Sequence, residues 1–471
     1  MLTAGDILSW KALPPDLKGK RVSVLGLARS GQAVAELLAA AGCKVFVSDS
    51  ARSPEIEASA KQLFGLGIKA EIGGHTNRAL HGDLLVRSPG VPADNPILVE
   101  ARNRGLAVVS EIEVAFWFCR AQVAAVTGSN GKTTTAEWLG DLLRRAGKTA
   151  AVCGNVGRPF SSATMILEGD DIGVVEMSSF QLEDVIRFSP RLAIMTNFSP
   201  DHLDRHVSYE AYIETKCRIF ERQGKDDALI FNRGDGELSR RTASAPGRRL
   251  SFGLDEPSAI GTGLRGEDVV VFDGDHMRVL IQRRDLALPG RHNLENALAV
   301  ACAGFDLGVQ DDRIAQALRE FSGVPHRLET VLEAGGILWV NDSKATNIAS
   351  GLVALESFTR PIILLAGGRD KGADFKGVAQ RVAGQIKQAI LFGEAAPLIE
   401  EAWGLHMAVG RVSTLAEAVR QAASLAQEGD VILLSPMCAS FDEFKNYEER
   451  GDTFKKLVRE ICQAESAETE S

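Results

Sequence analysis

Val123-Ala124-Ala125-Val126-Thr127-Gly128-Ser129-Asn130-Gly131-Lys132-Thr133-Thr134 decides how this chain is read. A short apolar run ends in a glycine-containing turn, and the turn ends in Lys-Thr-Thr. That order predicts a strand over Val123–Val126, a tight loop, and a helix from Lys132 to Ala146. Glycines let backbone N–H groups approach phosphate oxygens, and the new helix points its positive end at the same place. Lys132 can neutralise phosphate charge, and the Thr133 hydroxyl can ligate Mg²⁺. The spacing departs from the usual G-x-x-x-x-G-K-[ST], because position 126 is Val. The loop is a shorter form, T-G-x-x-G-K-T-T.

Outward from this stretch, apolar runs alternate with helical patterns. Val22–Leu25, Lys44–Val47, Leu84–Val86 and Ala107–Val109 read as strands, with helices over Gly31–Ala41 and Pro96–Arg104. A second series adds strands at Ile172–Val175 and Leu192–Thr196 and a helix over Tyr209–Phe220. A third has strands at Ile337–Val340, Ile362–Ala366, Ala389–Phe392 and Val431–Leu434. Strand–helix–strand order at this spacing implies parallel sheets, so the fold class is α/β. The stretch from Arg233 to Arg291 differs: Val269–Phe272 and Met277–Ile281 read as a hairpin around Asp273-Gly274-Asp275, a β-rich elaboration of the middle block. The tail from Ala464 is small, polar and acidic, and is expected to be disordered. The blocks suggest domains over 1–110, 111–323 and 324–471.

Composition agrees with a multidomain globular enzyme. The chain has 471 residues, of which 45% are hydrophobic and 24% charged. The net charge of −9 argues against a general nucleic-acid binder. Seven cysteines without a C-x-x-C pair favour a reducing compartment over a disulfide framework or zinc knuckle. No basic leader precedes an apolar run at the N-terminus, and no apolar stretch is long enough for a membrane span. A cytoplasmic protein without membrane insertion is expected.

Further candidate residues sit where strands end. Glu176 closes one strand beside the phosphate loop, well placed for Mg²⁺. Thr196-Asn197-Phe198-Ser199-Pro200-Asp201-His202-Leu203-Asp204 loads another strand end with ligand-capable groups. Lys216 follows on the next helix, where spacing alone makes it a solvated lysine. Gly26-Leu27-Ala28-Arg29-Ser30-Gly31 resembles a dinucleotide turn with its second glycine replaced, so NAD or another phosphate-bearing nucleotide fits. Asp49 ends the following strand, where a ribose or base contact would sit.

TGSNGKTT, EMSSFQL, NFSPDHLDRH, YIETK, RHNLEN, GVPHRLE, NDSKATN and CASFDEFKNYEERG together resemble the Mur ligases, over nearly the whole chain. NDSKATN and CASFDEFKNYEERG are the specific segments. The Asp-Asn-Pro-Arg-type motif of members that add diaminopimelate or lysine is absent. The resemblance implies a Rossmann-like domain for a UDP-sugar, a central P-loop-type ATPase domain with a mainly parallel sheet, and a Rossmann-like C-terminal domain for an amino acid. It implies ATP-dependent addition of D-glutamate to UDP-N-acetylmuramoyl-L-alanine, in peptidoglycan precursor synthesis. A monomer is expected. Folylpolyglutamate-type ligases share TG-x-x-GKTT and HRLE but lack such a leading domain; a nucleotide-binding ATPase without ligase activity is a further alternative.

Residue by residue, the resemblance assigns ATP to Gly128, Ser129, Asn130, Gly131, Lys132, Thr133 and Thr134, with Asn293 and Asn296 on the adenine side. Arg327 would contact phosphates and Asp342 the ribose, with His326 adjacent. Thr133 and Glu176 would hold one Mg²⁺, His202 and Lys216 a second, with Lys216 carbamylated by CO₂. Lys132, Glu176, His202 and Lys216 make up the implied catalytic set. Gly26, Ser30, Asp49 and Ser88 would face the UDP-sugar, and Asn155, Ser178, Gln181 and His202 its muramoyl-alanine end. Lys344, Thr346, Lys371, Ser440 and Tyr447 would bind D-glutamate.

Overall fold

Strand β1 (Arg21–Leu25) leads the first sheet, followed by β2 (Lys44–Asp49), β3 (Lys69–Ile72), β4 (Leu84–Arg87) and β5 (Val108–Ser110) in a computed structural model describing residues 1–199, 206–370, 372–382 and 384–469. The order is β3-β2-β1-β4-β5, all parallel. The chain reverses its direction of winding between β1 and β4. At such a switch point the loops part, leaving a crevice beyond the carboxyl ends of the strands.

The second sheet holds β6 (Gln122–Thr127), β7 (Ala150–Gly154), β8 (Ile172–Glu176), β9 (Leu192–Met195), β10 (Ala228–Asn232), β11 (Arg248–Phe252), β12 (Gly261–Arg265), β13 (Asp268–Phe272) and β14 (Met277–Gln282). Its order is β14-β13-β12-β11-β10-β9-β6-β8-β7. β6 lies between β8 and β9, so its carboxyl end is a second switch point. The expected hairpin is present as β13 and β14, antiparallel, and it extends the parallel sheet rather than standing apart from it.

The third sheet contains β15 (Glu329–Ala334), β16 (Ile337–Asn341), β17 (Ile362–Gly367), β18 (Ile386–Phe392), β19 (Val409–Arg411) and β20 (Val431–Met437), ordered β15-β16-β20-β17-β18-β19. Only β15 is antiparallel to its neighbour. The chain divides into two compact units, Met1–Phe321 with the first two sheets and Ser322–Ser471 with the third. The last helix runs from Tyr447 to Thr469, so the segment from Ala464 expected to be disordered continues a helix. Its Ala and Glu residues are good helix formers, and an existing helix need not nucleate again. Among the described residues, no helix is long and apolar enough to cross a membrane.

One buried acid fastens the first unit internally. Glu113, on the helix Glu111–Phe118, accepts from the indole N–H of Trp117 at 2.7 Å and from the backbone N–H groups of Ile186, Arg187 and Phe188 at 2.9, 2.7 and 3.0 Å. Two oxygens thus satisfy four donors, three of them on a loop of the second block. Glu113→Ala leaves those donors unpaired. It is expected to lower the stability of the Met1–Phe321 unit by about 3 kcal/mol, read from urea unfolding; a loss below about 1 kcal/mol would show that water replaces the carboxylate.

Candidate active site

The loop between β6 and the helix Lys132–Arg145 is built by close approach. Gly128 has φ 147° and a Cβ there would lie 1.9 Å from Thr196 Oγ1. Gly131 has φ 81° and a Cβ there would lie 2.4 Å from Asn296 Oδ1. Neither position accepts a side chain. The loop is then pinned to the end of β9. Ser129 N–H donates to Asn197 O at 2.9 Å and Asn130 N–H to Asn197 Oδ1 at 2.9 Å, while Thr196 Oγ1 donates to Asn130 O at 2.6 Å. Ser129 Oγ also meets Tyr212 Oη at 2.9 Å and Ser199 N at 2.9 Å.

Those contacts change which donors face an anion. The N–H groups of Ser129 and Asn130 are already engaged by Asn197. The opening turn of the helix supplies the rest, because its first N–H groups, from Gly131 to Thr134, have no intrahelical acceptor. Lys132 Nζ bends back to the carbonyls of Gly128 and Ser129 at 3.0 and 2.8 Å. It therefore hangs over the loop. The Thr133 hydroxyl has no hydrogen-bond partner among the described residues, and Thr133 is 6% exposed.

Glu176 ends β8 in register with Val126 of β6. It is 2% exposed, and Oε1 accepts from Asn155 Nδ2 at 3.1 Å. Hard oxygen donors from Thr133 and Glu176, at neighbouring strand ends, suit Mg²⁺. Lys216, on the helix Tyr209–Cys217, is 2% exposed rather than solvated. Its Nζ donates to Gly128 O at 2.8 Å and Thr127 Oγ1 at 3.3 Å, and it lies 4.9 Å from the centre of the Tyr212 ring. Asn296 accepts from Thr135 Oγ1 at 3.3 Å against the loop, and Asn293 bonds Pro289 O one turn earlier. His202 and Lys371 lie outside the described residues.

At the first switch point a cleft of about 460 Å³ opens. Gly26, Ser30, Asp49 and Ser88 line it together with Asn155, which follows β7, and Gln181, on the short helix after β8. Asp49 shapes the turn there: Oδ2 accepts from Leu27 N at 2.6 Å and Oδ1 from Ala51 N at 2.7 Å. Gly31 is forced, since a Cβ would lie 1.9 Å from Gly26 O. Ser178 caps the short helix Ser179–Leu182 and bonds Gln181.

Within the second unit, Arg327, Asp342 and Lys344 line a small pocket of about 60 Å³. Asp342 follows β16 and accepts from Ser435 Oγ at 2.8 Å and Leu328 N at 3.2 Å. Burial outweighs these bonds and pushes its carboxyl up to about 7. Lys344 Nζ stands 6.0 Å from the centre of the Tyr447 ring. Ser440 is buried beyond the end of β20, and the backbone N–H of Thr346 bonds Lys344 O at 2.9 Å. Beneath these loops lies Arg450, 0% exposed. Its guanidinium donates to Ser343 Oγ and O at 3.0 and 2.9 Å, to Ala439 O at 3.3 Å and to Cys438 O at 3.2 Å.

Family models match three consecutive segments: a Mur ligase MurD-like N-terminal domain at residues 20–110, a Mur ligase middle domain at 126–304 and a Mur ligase glutamate ligase domain at 326–438. The chain belongs to the Mur ligase family. A UDP-N-acetylmuramoylalanine–D-glutamate ligase of Salinibacter ruber is 43% identical over 459 residues, covering 95% of this chain and 99% of its own. One from Koribacter versatilis is 41% identical over 455 residues, covering 96% and 99%. Among solved structures, the UDP-N-acetylmuramate–alanine ligase of Thermotoga maritima aligns with a TM-score of 0.58 at 19% identity, covering 94% of this chain and 100% of that one. That likeness shows the fold.

In this Mur ligase, sequence reading missed Thr196 and Asn197 as loop anchors, and it gave no role to Tyr212, His206 or Arg450, although each lies within a quoted motif. His206 is buried, with Nε2 2.9 Å from Ser179 Oγ and its ring stacked on Phe180 at 5.6 Å. The NFS run at a strand end was the available signal for the anchors. Gly128→Ala is expected to lower ATP-dependent turnover by about 10²-fold through displacement of the loop, with the fold retained by circular dichroism; wild-type turnover would show that Thr196 yields without cost. Asp342 binds its proton more tightly folded, at about 7, than unfolded, at about 3.9. Wild type therefore loses stability as pH rises between those values, and Asp342→Asn does not. Thermal scans across that window should show the variant gaining on wild type up to about pH 7 and no further; parallel profiles would contradict the burial effect.

Proposed function

We infer that this chain joins the amine of D-glutamate to the alanyl carboxylate of UDP-N-acetylmuramoyl-L-alanine, with ATP converted to ADP and phosphate. The observation that carries the reading is full-length identity to D-glutamate ligases: relatives so named are 37–43% identical over 94–96% of this chain. The loop geometry is consistent with it. In the first step a carboxylate oxygen attacks the γ-phosphorus of ATP, the bond to the β-phosphate oxygen breaks, and ADP leaves. In the second the amine attacks the acyl phosphate carbon, inorganic phosphate leaves, and the nitrogen sheds a proton as the amide forms.

The first step brings two anions together, so the site must offer positive charge and donors fixed beforehand. The helix N–H groups from Gly131 to Thr134 face the phosphates, and Lys132 swings from its two carbonyl partners to the β- and γ-phosphate oxygens. Thr133 and Glu176 are the proposed holders of Mg²⁺, which when bound supplies charge that lowers the repulsion. Gly26, Ser30, Asp49 and Ser88 hold the UDP-sugar, with Asn155, Ser178 and Gln181 toward the reacting end. Asn293, Asn296, Arg327 and Asp342 are assigned to the nucleoside and phosphates of ATP. Lys344, Thr346, Lys371, Ser440 and Tyr447 are assigned to D-glutamate, whose two carboxylates take charge-assisted bonds from lysines.

Lys216 is proposed to be carbamylated. Its ammonium gives up two protons to solvent as the nitrogen bonds to the carbon of CO₂, turning a cation into an anion, and with His202 it would then hold a second Mg²⁺. What supports that reading is its position: Lys216 is buried against the phosphate loop, where an added carboxylate would stand close to the metal; the amine as it stands donates to Gly128 O and Thr127 Oγ1. Carbon-13 NMR of enzyme supplied with ¹³CO₂ should show a carbamate resonance that Lys216→Ala lacks; identical spectra would remove the modification.

The whole reading is tested by phosphate release with UDP-N-acetylmuramoyl-L-alanine and each of D-glutamate, L-glutamate, L-lysine and meso-diaminopimelate. D-glutamate alone should support full turnover, and Lys132→Ala should lower it by about 10²–10³-fold. Equal use of lysine or diaminopimelate would overturn the assignment.

A further inference from the structure

The first sheet carries a second cavity, at the end opposite the UDP-sugar cleft. β1 runs from Arg21 to Leu25, and Gly26 beyond its carboxyl end lines the cleft, whereas Arg21 and Ser23 at its amino end line the other cavity of about 590 Å³. The cavity exists because of how the chain crosses from β3 to β4. A helix would ordinarily cover this face of a doubly wound sheet. Here the crossover holds only the one-and-a-half-turn 3₁₀ helix Asn77–His81, and part of the sheet face stays open.

What the open face presents follows from register. Ser23, Phe46 and Lys69 are cross-strand neighbours on β1, β2 and β3, and Arg21 pairs with Lys44 in the row beside them. Residues in register on parallel strands share a face. Arg78 and His81 of the 3₁₀ helix complete the lining. Four permanent cations therefore surround the space, and no acid lines it, in a chain whose net charge is −9.

The pairing of these groups leaves charge to spare. Arg21 meets Asp83 at 3.8 Å, and Arg78 lies 5.0 Å over the Phe46 ring, within the field of Glu71. Lys44 and Lys69 have no ion-pair partner among the described residues. Ser23 is 2% exposed, yet its hydroxyl has no hydrogen-bond partner among the described residues. Gly82 keeps the space in front of it clear, since a Cβ there would lie 2.9 Å from Ser23 Oγ. The oxygen is not shut off from solvent, so in the cavity it is available to a ligand.

We propose that this cavity is a second ligand site, for a phosphate-bearing molecule with a planar ring and about the size of a mononucleotide. The volume falls in the range of small-molecule sites. Lys44 and Lys69 match the charge of a phosphate dianion, and the Ser23 hydroxyl can donate to it. The Arg78 guanidinium, already lying over Phe46, provides a flat surface on which a ring can stack. The site is separate from the ligation machinery, so its occupancy and turnover can be measured independently.

Isothermal titration of the full chain with 1-naphthyl phosphate tests this. Wild type should bind it, and Lys44→Ala/Lys69→Ala and Arg78→Ala should each weaken binding at least roughly tenfold. Those side chains are exposed, so the variants should keep wild-type ligase turnover without the probe. Arg29→Ala and Lys132→Ala, which alter the cleft and the phosphate loop, should leave naphthyl phosphate affinity unchanged, and inorganic phosphate should bind more weakly than the aryl compound. Absence of binding to wild type, equal binding by the Lys44→Ala/Lys69→Ala variant, or loss of binding in either control variant would overturn the proposal; equal affinity for inorganic phosphate would overturn the ring.

Discussion

The loop at the end of β6 can receive phosphates only because its own backbone is held from behind. Thr196 and Asn197, at the end of the neighbouring strand β9, bond Ser129 and Asn130 at 2.6–2.9 Å. Lys216 bonds Gly128 from the helix after that strand. A free glycine loop would have to be ordered anew at each turnover, and that entropy would come out of binding. Here the order is prepaid in folding. The donors left outward belong to the first turn of the helix, where their alignment with the helix axis gives a fixed positive field.

The same logic governs the second unit without a glycine loop. Arg450 has no carboxylate within hydrogen-bonding distance among the described residues, and burial lowers its guanidinium to about 10. It nevertheless takes four oxygen partners, on Ser343, Cys438 and Ala439. A planar, rigid donor set can tie two loops together in a way that a point charge cannot. The loops it ties are those after β16 and β20, which carry Asp342, Lys344 and Ser440. At both sites a buried polar group acts on the backbone that presents the chemistry.

What the sequence disclosed follows from this division. TGSNGKTT was legible because local order, strand then turn then helix, is written in consecutive residues. Glu176 was legible because strand ends collect function in parallel sheets. The anchors were not, since Thr196 and Asn197 reach across 66–69 residues to their partners, and spacing says nothing of such pairs. Lys216 and Arg450 read as ordinary charged helix residues because burial of a single position leaves no periodic trace. Short, half-buried strands such as β3, with sequence Lys69-Ala70-Glu71-Ile72, were passed over for want of a β-branched run. The expected disorder after Ala464 rested on polarity, which a continuing helix tolerates.

On the proposed route the carboxylate of the UDP-sugar peptide takes the γ-phosphoryl group of ATP before the amine of D-glutamate attacks the resulting acyl phosphate. Following oxygen decides this directly. Turnover of UDP-N-acetylmuramoyl-L-alanine labelled with ¹⁸O in its carboxylate, with ATP and D-glutamate, should yield inorganic phosphate carrying one labelled oxygen from each amide formed. Phosphate free of label, with the amide formed at the usual rate, would contradict the acyl phosphate and the account built on it.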